Sequence, residues 1–377
     1  MSTEVFITRT ASFLPFEPVG NDEIESVLGM IGGKPSRARR IVLRSNGIRQ
    51  RHYAIDRATG EPAMSNAQLT ARAIRELGEV GRVDALACGT SLPDQLMPGH
   101  GVMVHGELGW PRLEVTSFAG ICLSGTAALK HAWLSVRAGD ARRAVATGSE
   151  LASPILLARH FEAESEHQVN MLEARPEIAF EKDFLRWMLS DGAGAMLLER
   201  EPRGPLSLRI EWIELSSAAH ELPACMYAGA DKRADGSLAG WLHHPVSDWA
   251  SKSIFAVKQD VRLLDENIAR ATFAEPLTAL IAKHGLRAQD VDWFLPHMSS
   301  CYFADRLAAT LEEIGLPIPR ERWFTNLTTR GNTGSASPYI MLDELFRSGR
   351  ISCGQRLLMY VPESGRFSSG FVCLEAV

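Results

Sequence analysis

The sequence has 377 residues, 45% of them hydrophobic and 23% charged, a composition that fits one large duplicated domain or two of average size. Its net charge of -5 argues against a general binder of nucleic acid or of an anionic membrane surface. Six scattered cysteines (Cys88, Cys122, Cys225, Cys301, Cys353 and Cys373) form no C-x-x-C pair, so reduced thiols are expected rather than a zinc site or a disulfide framework.

The opening stretch MSTEVFITRTASFLP has no basic segment leading into a long apolar one, and no apolar run is long enough to span a bilayer. A cytoplasmic protein without a signal peptide is the expectation. EVFITRTASFL predicts a strand, and NDEIESVLGMI a helix capped by Asn21. NAQLTARAIREL predicts a second helix and VDALACGTS a buried strand. GTAALKHAWLSVRAG reads as a helix closed by Gly139, followed by a strand in RRAVATGSE. This alternation argues for an α/β architecture. The stretch from His160 to Trp187 breaks it; charged and interrupted by Pro176, it suits an insertion over a site or a subunit contact.

An internal echo organises the chain. GRVDALACGTSLPD resembles QDVDWFLPHMSSCY with an offset of 208 between Val83 and Val291, and GTAAL resembles GSASP with an offset of 209 between Gly125 and Gly334. A third echo links VRAGDARRAVATGSE to FRSGRISCGQRLLMYVPES. Three matches in one order predict two copies of a single αβ unit, residues 1–200 and 201–377, with the insertion spanning about 158–187.

Three residues then fall at corresponding strand and helix ends. Cys122 begins a helix in the first copy, Asn332 has nearly the matching place in the second, and His297 ends the strand that echoes the one running to CGTS. Loops at strand ends converge where sites form. Each residue also has a plainer role: Cys122 as a buried structural thiol, His297 as a hydrogen-bonded strand-end histidine, Asn332 as a turn residue that tolerates positive φ. The paired His243 and His244 have no third ligand at useful spacing, so no metal is expected. SDGAGA lacks the lysine of a phosphate loop and reads as close packing.

In their order along the chain, GIRQRH, GTSLPD before MPG, the Cys122 segment, MLSDGAGAMLLE, LPHMSS, GNTGSAS and SGRFSSG resemble the thiolase-fold condensing enzymes of the β-ketoacyl-acyl-carrier-protein synthase III group. The resemblance covers essentially the whole chain. It implies a duplicated αβαβα layered fold whose N-terminal half carries the nucleophile and whose C-terminal half carries His and Asn. It assigns Cys122 as the acylated nucleophile, His297 and Asn332 as its catalytic partners, and the N–H groups of Cys122 and Gly365 as an oxyanion hole. It further implies an acyl carrier protein as partner, acyl thioesters as substrates, no cofactor, and a homodimer in which Met97 lines the acyl pocket of the other chain. NDEIE, GGKPSRAR and RSNGIRQRHYAID are most similar to the ketosynthases of dialkylresorcinol and aryl-polyene pathways.

The chemistry suits these residue types. A thiolate exchanges one thioester for another at little cost, and a helix N-terminus favours the thiolate without a strong base beside it. A carbon nucleophile made from a malonyl or β-ketoacyl thioester would then be stabilised by neutral donors on His297 and Asn332. The expected reaction is a Claisen condensation, with a cyclohexanedione or dialkylresorcinol precursor as the narrower product. The alternative is an acyltransferase of the same fold that passes the acyl group to an oxygen or nitrogen acceptor.

Departures from the family are informative. NDEIESVL lacks the tryptophan that stacks on adenine in relatives using coenzyme A, which favours a carrier-protein donor, and the basic cluster Lys34, Arg37, Arg40 and Arg44 would either dock that carrier or form a solvated helix face. The C-terminal loop PESGRFSSG brings Glu363 near the pocket. With Glu150 and Arg330 it would add proton transfer for a ring-closing step, the plainer role being a structural Glu–Arg ion pair.

Overall fold

A computed structural model of the chain describes residues 4–36, 39–161 and 185–377. Its centre is a nine-stranded mixed sheet, with strands numbered here in chain order: β1 (Phe6–Phe13), β2 (Ala85–Thr90), β3 (Glu114–Ala119), β4 (Arg143–Glu150), β5 (Gly192–Glu199), β6 (Leu208–Ser217), β7 (Trp293–Pro296), β8 (Arg356–Glu363) and β9 (Ser368–Ala376). Their spatial order is β7-β8-β9-β6-β1-β5-β4-β2-β3. The predicted strands and helices of the first half all form, with one correction. The early helix spans only Ile24–Leu28 and has no side-chain cap. Asn21 lies two residues ahead of the helix's N-cap position, Glu23, and its amide oxygen accepts a hydrogen bond from Arg51 at 2.6 Å.

The sheet repeats itself about the β1/β6 seam. On one side β1-β5 and β5-β4 are antiparallel, and β4-β2 and β2-β3 parallel. On the other, β6-β9 and β9-β8 are antiparallel and β8-β7 parallel. Only a single parallel bridge, Phe294 to Trp323, stands where the second side would need a counterpart of β3. The fold is thus the mixed α/β, duplicated thiolase-like one expected, and 200/201 falls in the turn between β5 and β6. Most of the expected insertion, residues 162–184, lies outside the described residues.

Two corresponding helices, α1 (Ser124–Ala138) and α2 (Ser337–Arg347), pack into the principal core. Ala128, Leu129, Ala132, Trp133 and Val136 of α1 meet Tyr339, Met341, Leu342 and Leu345 of α2 and apolar residues of both half-sheets. Gly139 closes α1 at φ 95°, as its sequence position predicts. The GTAAL/GSASP echo is displaced: Gly125 lies in the first turn of α1, whereas Gly334 lies in a separate 3₁₀ turn, Gly334–Ala336, ahead of α2. The glycines of SDGAGA serve close packing: a Cβ on Gly194 would stand 2.3 Å from that of Tyr339. The Tyr339 hydroxyl donates to the Gly125 carbonyl at 2.7 Å, tying the N-terminal ends of α1 and α2 together. Among the described residues no helix is long and apolar enough to cross a membrane.

Candidate active site

Cys122, His297 and Asn332 line one cavity of about 550 Å³ at the ends of these elements. Cys122 follows β3 and precedes α1 by one residue, so it sits at the helix entrance rather than inside it. It is partly accessible. His297 directly follows β7, and its N–H donates to the Tyr360 carbonyl of β8 at 2.8 Å, which extends the β7–β8 pairing by one residue. Asn332 is fastened through its backbone: its N–H donates to Met188 at 3.0 Å and its carbonyl accepts from Ser190 at 2.9 Å. Its side-chain oxygen accepts from the Gly334 N–H at 3.0 Å, leaving the amide NH₂ as the free end of the side chain. Gly331, before it, has φ 71°, and a Cβ there would come within 2.8 Å of Ser190.

Burial lowers the His297 pKa to about 4, so its imidazole is neutral at ordinary pH and offers one N–H without a positive charge. Cys122 departs from expectation. Burial pushes its thiol up, and the carboxylates of Glu363 and Glu150 push it further. Beyond burial, the larger cause, a carboxylate stands at the helix entrance. The Glu363 Oε2 accepts hydrogen bonds from the N–H groups of Ile121 at 2.9 Å and Leu123 at 3.1 Å, on either side of Cys122. A carboxylate is therefore fastened on both sides of Cys122, immediately ahead of the helix, where its charge disfavours a thiolate.

Gly365 also lines the cavity. Its carbonyl accepts from the Cys225 N–H at 2.8 Å, while its own N–H has no acceptor among the described residues. A Cβ at this position would meet the tip of the Ile121 side chain at 2.8 Å, so a larger residue there would have to displace Ile121 beside Cys122. Glu150 is buried in the cavity wall, where it accepts from the Ser91 hydroxyl at 2.5 and 2.6 Å and from the Ser335 N–H at 3.3 Å. Burial raises its pKa to about 7.

Arg330 is not brought to this cavity. Its guanidinium pairs with Glu344 at 3.4 Å and lines a separate, smaller cavity with Asp343 and Arg347. The expected grouping of Arg330 with Glu150 and Glu363 therefore fails, because the acidic side chain of α2 is the nearer partner. Met97 is 82% exposed and outside the cavity. Lys34, Arg40 and Arg44 are exposed, the two arginines one turn apart on the helix Arg39–Asn46; Arg37 lies outside the described residues.

The sequence reading missed most of the cavity wall. Ala224, Met226, Val257, Leu264 and Ile268 come from the long connection between β6 and β7, and Met298 and Leu307 follow β7. That connection mixes short strands and turns with the helices Val261–Ala269, which carries Leu264 and Ile268, and Glu275–His284, so no single periodicity marks all of it. Ser91 was within reach, as part of the quoted GTSLPD.

Residues 281–372 match the family model described as 3-oxoacyl-[acyl-carrier-protein (ACP)] synthase III C terminal. A β-ketoacyl-[acyl-carrier-protein] synthase III of Bordetella petrii is 28% identical over 359 residues, 95% of this chain and 94% of its own. The one of Xanthomonas oryzae pv. oryzae is 26% identical over 366 residues, 95% of each chain. Among solved structures, the tetronic acid condensing enzyme AbyA1 superposes with a TM-score of 0.73 at 22% identity, covering 98% of this chain and 99% of its own. OleA of Xanthomonas campestris with bound lauric acid and lauroyl-CoA gives 0.72 at 20% identity, covering 99% of both. Along its whole length the chain is like the synthase III group of thiolase-fold proteins in both sequence and fold.

Proposed function

We propose that this synthase III-like chain is a condensing enzyme that takes an acyl group onto Cys122 and joins it to a malonyl- or β-ketoacyl-carrier thioester through a new carbon–carbon bond. The observation that carries this reading is the convergence of a cysteine, a neutral histidine and an asparagine amide on one largely apolar cavity. In the first half-reaction the Cys122 sulfur attacks the thioester carbonyl carbon and the carrier thiol leaves. The N–H groups of Cys122 and Gly365 receive the developing oxyanion. In the second, the acceptor's α-carbon becomes nucleophilic as CO2 leaves a malonyl group or a proton leaves a β-ketoacyl one, and negative charge builds on its thioester oxygen. Neutral donors suit that charge, because they stabilise it without pairing permanently with a carboxylate. The carbon then attacks the acyl carbonyl, the Cys122 carbon–sulfur bond breaks as the carbon–carbon bond forms, and the departing Cys122 sulfur is reprotonated. The apolar wall supplies room for an acyl chain.

The exposed Lys34, Arg40 and Arg44 suit docking of an acidic carrier protein. Glu150, poised near neutrality by burial, suits proton transfer in a second, ring-closing condensation of the dialkylresorcinol type. The decisive experiment offers acyl-loaded enzyme a malonyl or a β-ketoacyl carrier and weighs the product. A product holding both carbon skeletons is expected, and a cyclic dione from the β-ketoacyl acceptor marks the narrower reaction. An ester or amide of an added alcohol or amine, with no such product, replaces this reading by the acyltransferase one.

The same reading includes a homodimer with Met97 in the partner's acyl pocket. Its support is that Leu96 and Met97 are 70% and 82% exposed, and that β3 ends the sheet with one edge unpaired. A flexible methionine would admit varied chains. Light scattering should give twice the chain mass, and Met97→Trp should shorten the acyl chains accepted. A monomer, or an unchanged chain-length profile, rejects the arrangement.

A further inference from the structure

Glu363 stands out because the proposed mechanism has no use for it and yet it grips the nucleophile's segment from both sides. The entrance of a helix ordinarily activates a cysteine by donating N–H groups to its thiolate. Here the Ile121 and Leu123 N–H groups are committed to the Glu363 carboxylate. Besides Cys122, the charged or titratable side chains lining the cavity are Glu150 from β4, the phenols Tyr227 and Tyr360, His297 after β7, Arg306, Glu363 from β8 and Arg366. Neither arginine offsets the carboxylate by an ion pair: Arg306 is bonded to Asp265 at 3.0 Å, and the Arg366 Nε donates to the Leu222 carbonyl at 2.9 Å. The cysteine therefore sits between two acidic groups and a neutral imidazole, surroundings that hold it as a thiol. A resting thiol needs a proton acceptor when the substrate arrives.

We propose that Glu363 is that acceptor, so that Cys122 rests protonated and is activated only through the carboxylate bracketing it. The S–H bond breaks as the sulfur attacks the thioester carbonyl, and the proton passes to Glu363, directly or through one water. The carbon–sulfur bond to the carrier then breaks, and the departing carrier thiolate takes the proton back from Glu363. No oxidant or further reactant is needed. This assignment rests on Cys122 being the acylated residue.

Glu363→Gln separates two effects that normally move together. The glutamine oxygen can still accept from Ile121 and Leu123, but the charge and the base are gone. Alkylation of Cys122 by iodoacetamide at pH 7, which depends on the thiolate fraction, should rise several-fold as the thiol is freed from the neighbouring charge. Acyl loading from an acyl-carrier thioester, followed by intact-protein mass, should instead slow by roughly 10²–10⁴, the usual worth of a general base. Glu363→Asp, which keeps a carboxylate, should load faster than the glutamine variant. Opposite movements of alkylation and loading establish the acceptor. Loading as fast as in the native protein overturns it, as does a parallel fall in both rates, which would make Glu363 a loop fastener. An aspartate variant no faster than the glutamine one also overturns it. Cys122→Ala, run alongside, keeps the two readings apart: an acyl increment persisting there refutes the nucleophile itself, whatever Glu363 does.

Discussion

Cys122→Ala should lose the covalent acyl increment completely when the protein is mixed with an acyl-carrier thioester. The six cysteines differ sharply in what surrounds them. Cys88, Cys225 and Cys373 are buried, and burial pushes each of these thiols up to about 12. Cys353 is exposed and Cys301 half-buried, but neither lines the cavity. Cys122 alone among them lines the cavity that also holds His297 and Asn332. Its own thiol is also pushed up by burial and by Glu363 and Glu150, and the proposed mechanism has Glu363 accept its proton as the substrate is attacked. Intact-protein mass with native and variant chains decides the matter. An increment that survives, mapped to Cys88 or Cys301, would sink the site.

The alanine variants of His297 and Asn332 should behave differently from Cys122→Ala and from each other's sum. On the proposed mechanism, loading calls on the thiol and on the N–H groups of Cys122 and Gly365, so both variants should still acquire the acyl mass. Condensation would call in addition on the imidazole and the amide as donors to the acceptor's developing enolate charge. Removing one such donor costs about 2.7–4 kcal/mol, a slowing of the second step by roughly 10²–10³. The double variant should lose less than the product of the two factors, since both donors hold one oxygen. The readout is the rate of carbon–carbon product from pre-loaded enzyme, measured separately from loading. Should either variant fail to load, the division of labour between the two half-reactions is wrong. Should either condense at the native rate, that residue's role is positional at most.

Much of the scaffold was legible before any coordinates. The strands holding Ala85–Thr90 and Arg143–Glu150 are continuous small and apolar runs, which parallel or doubly covered strands require. Gly139 announced the end of its helix because only a left-handed residue closes it there. The duplicated offsets foretold a sheet that repeats itself, although an extra 3₁₀ turn at Gly334 blurred the register of one echo. Asn21 misled because the helix starts later than the capping pattern suggested, at Ile24 behind Glu23, and the amide of Asn21 serves Arg51 instead.

The sequence alone determined the order of elements, the repeat, and the three residues whose loops would converge, since all of these follow from local periodicity and from strand and helix ends. Tertiary structure alone decided what surrounds them. Glu363 reaches Ile121 across 242 positions of chain, and no pattern in either segment announces that contact. Arg330 turned to Glu344, only 14 positions away, because a partner on the adjoining helix outcompetes one across the cavity. The apolar wall came from the irregular connection between β6 and β7, where packing rather than periodicity selects which side chains face inward. Proton affinity follows the same division. A cysteine at a helix entrance looks activated in the sequence, but whether its charge is welcomed depends on which distant carboxylate the fold delivers to the same N–H groups.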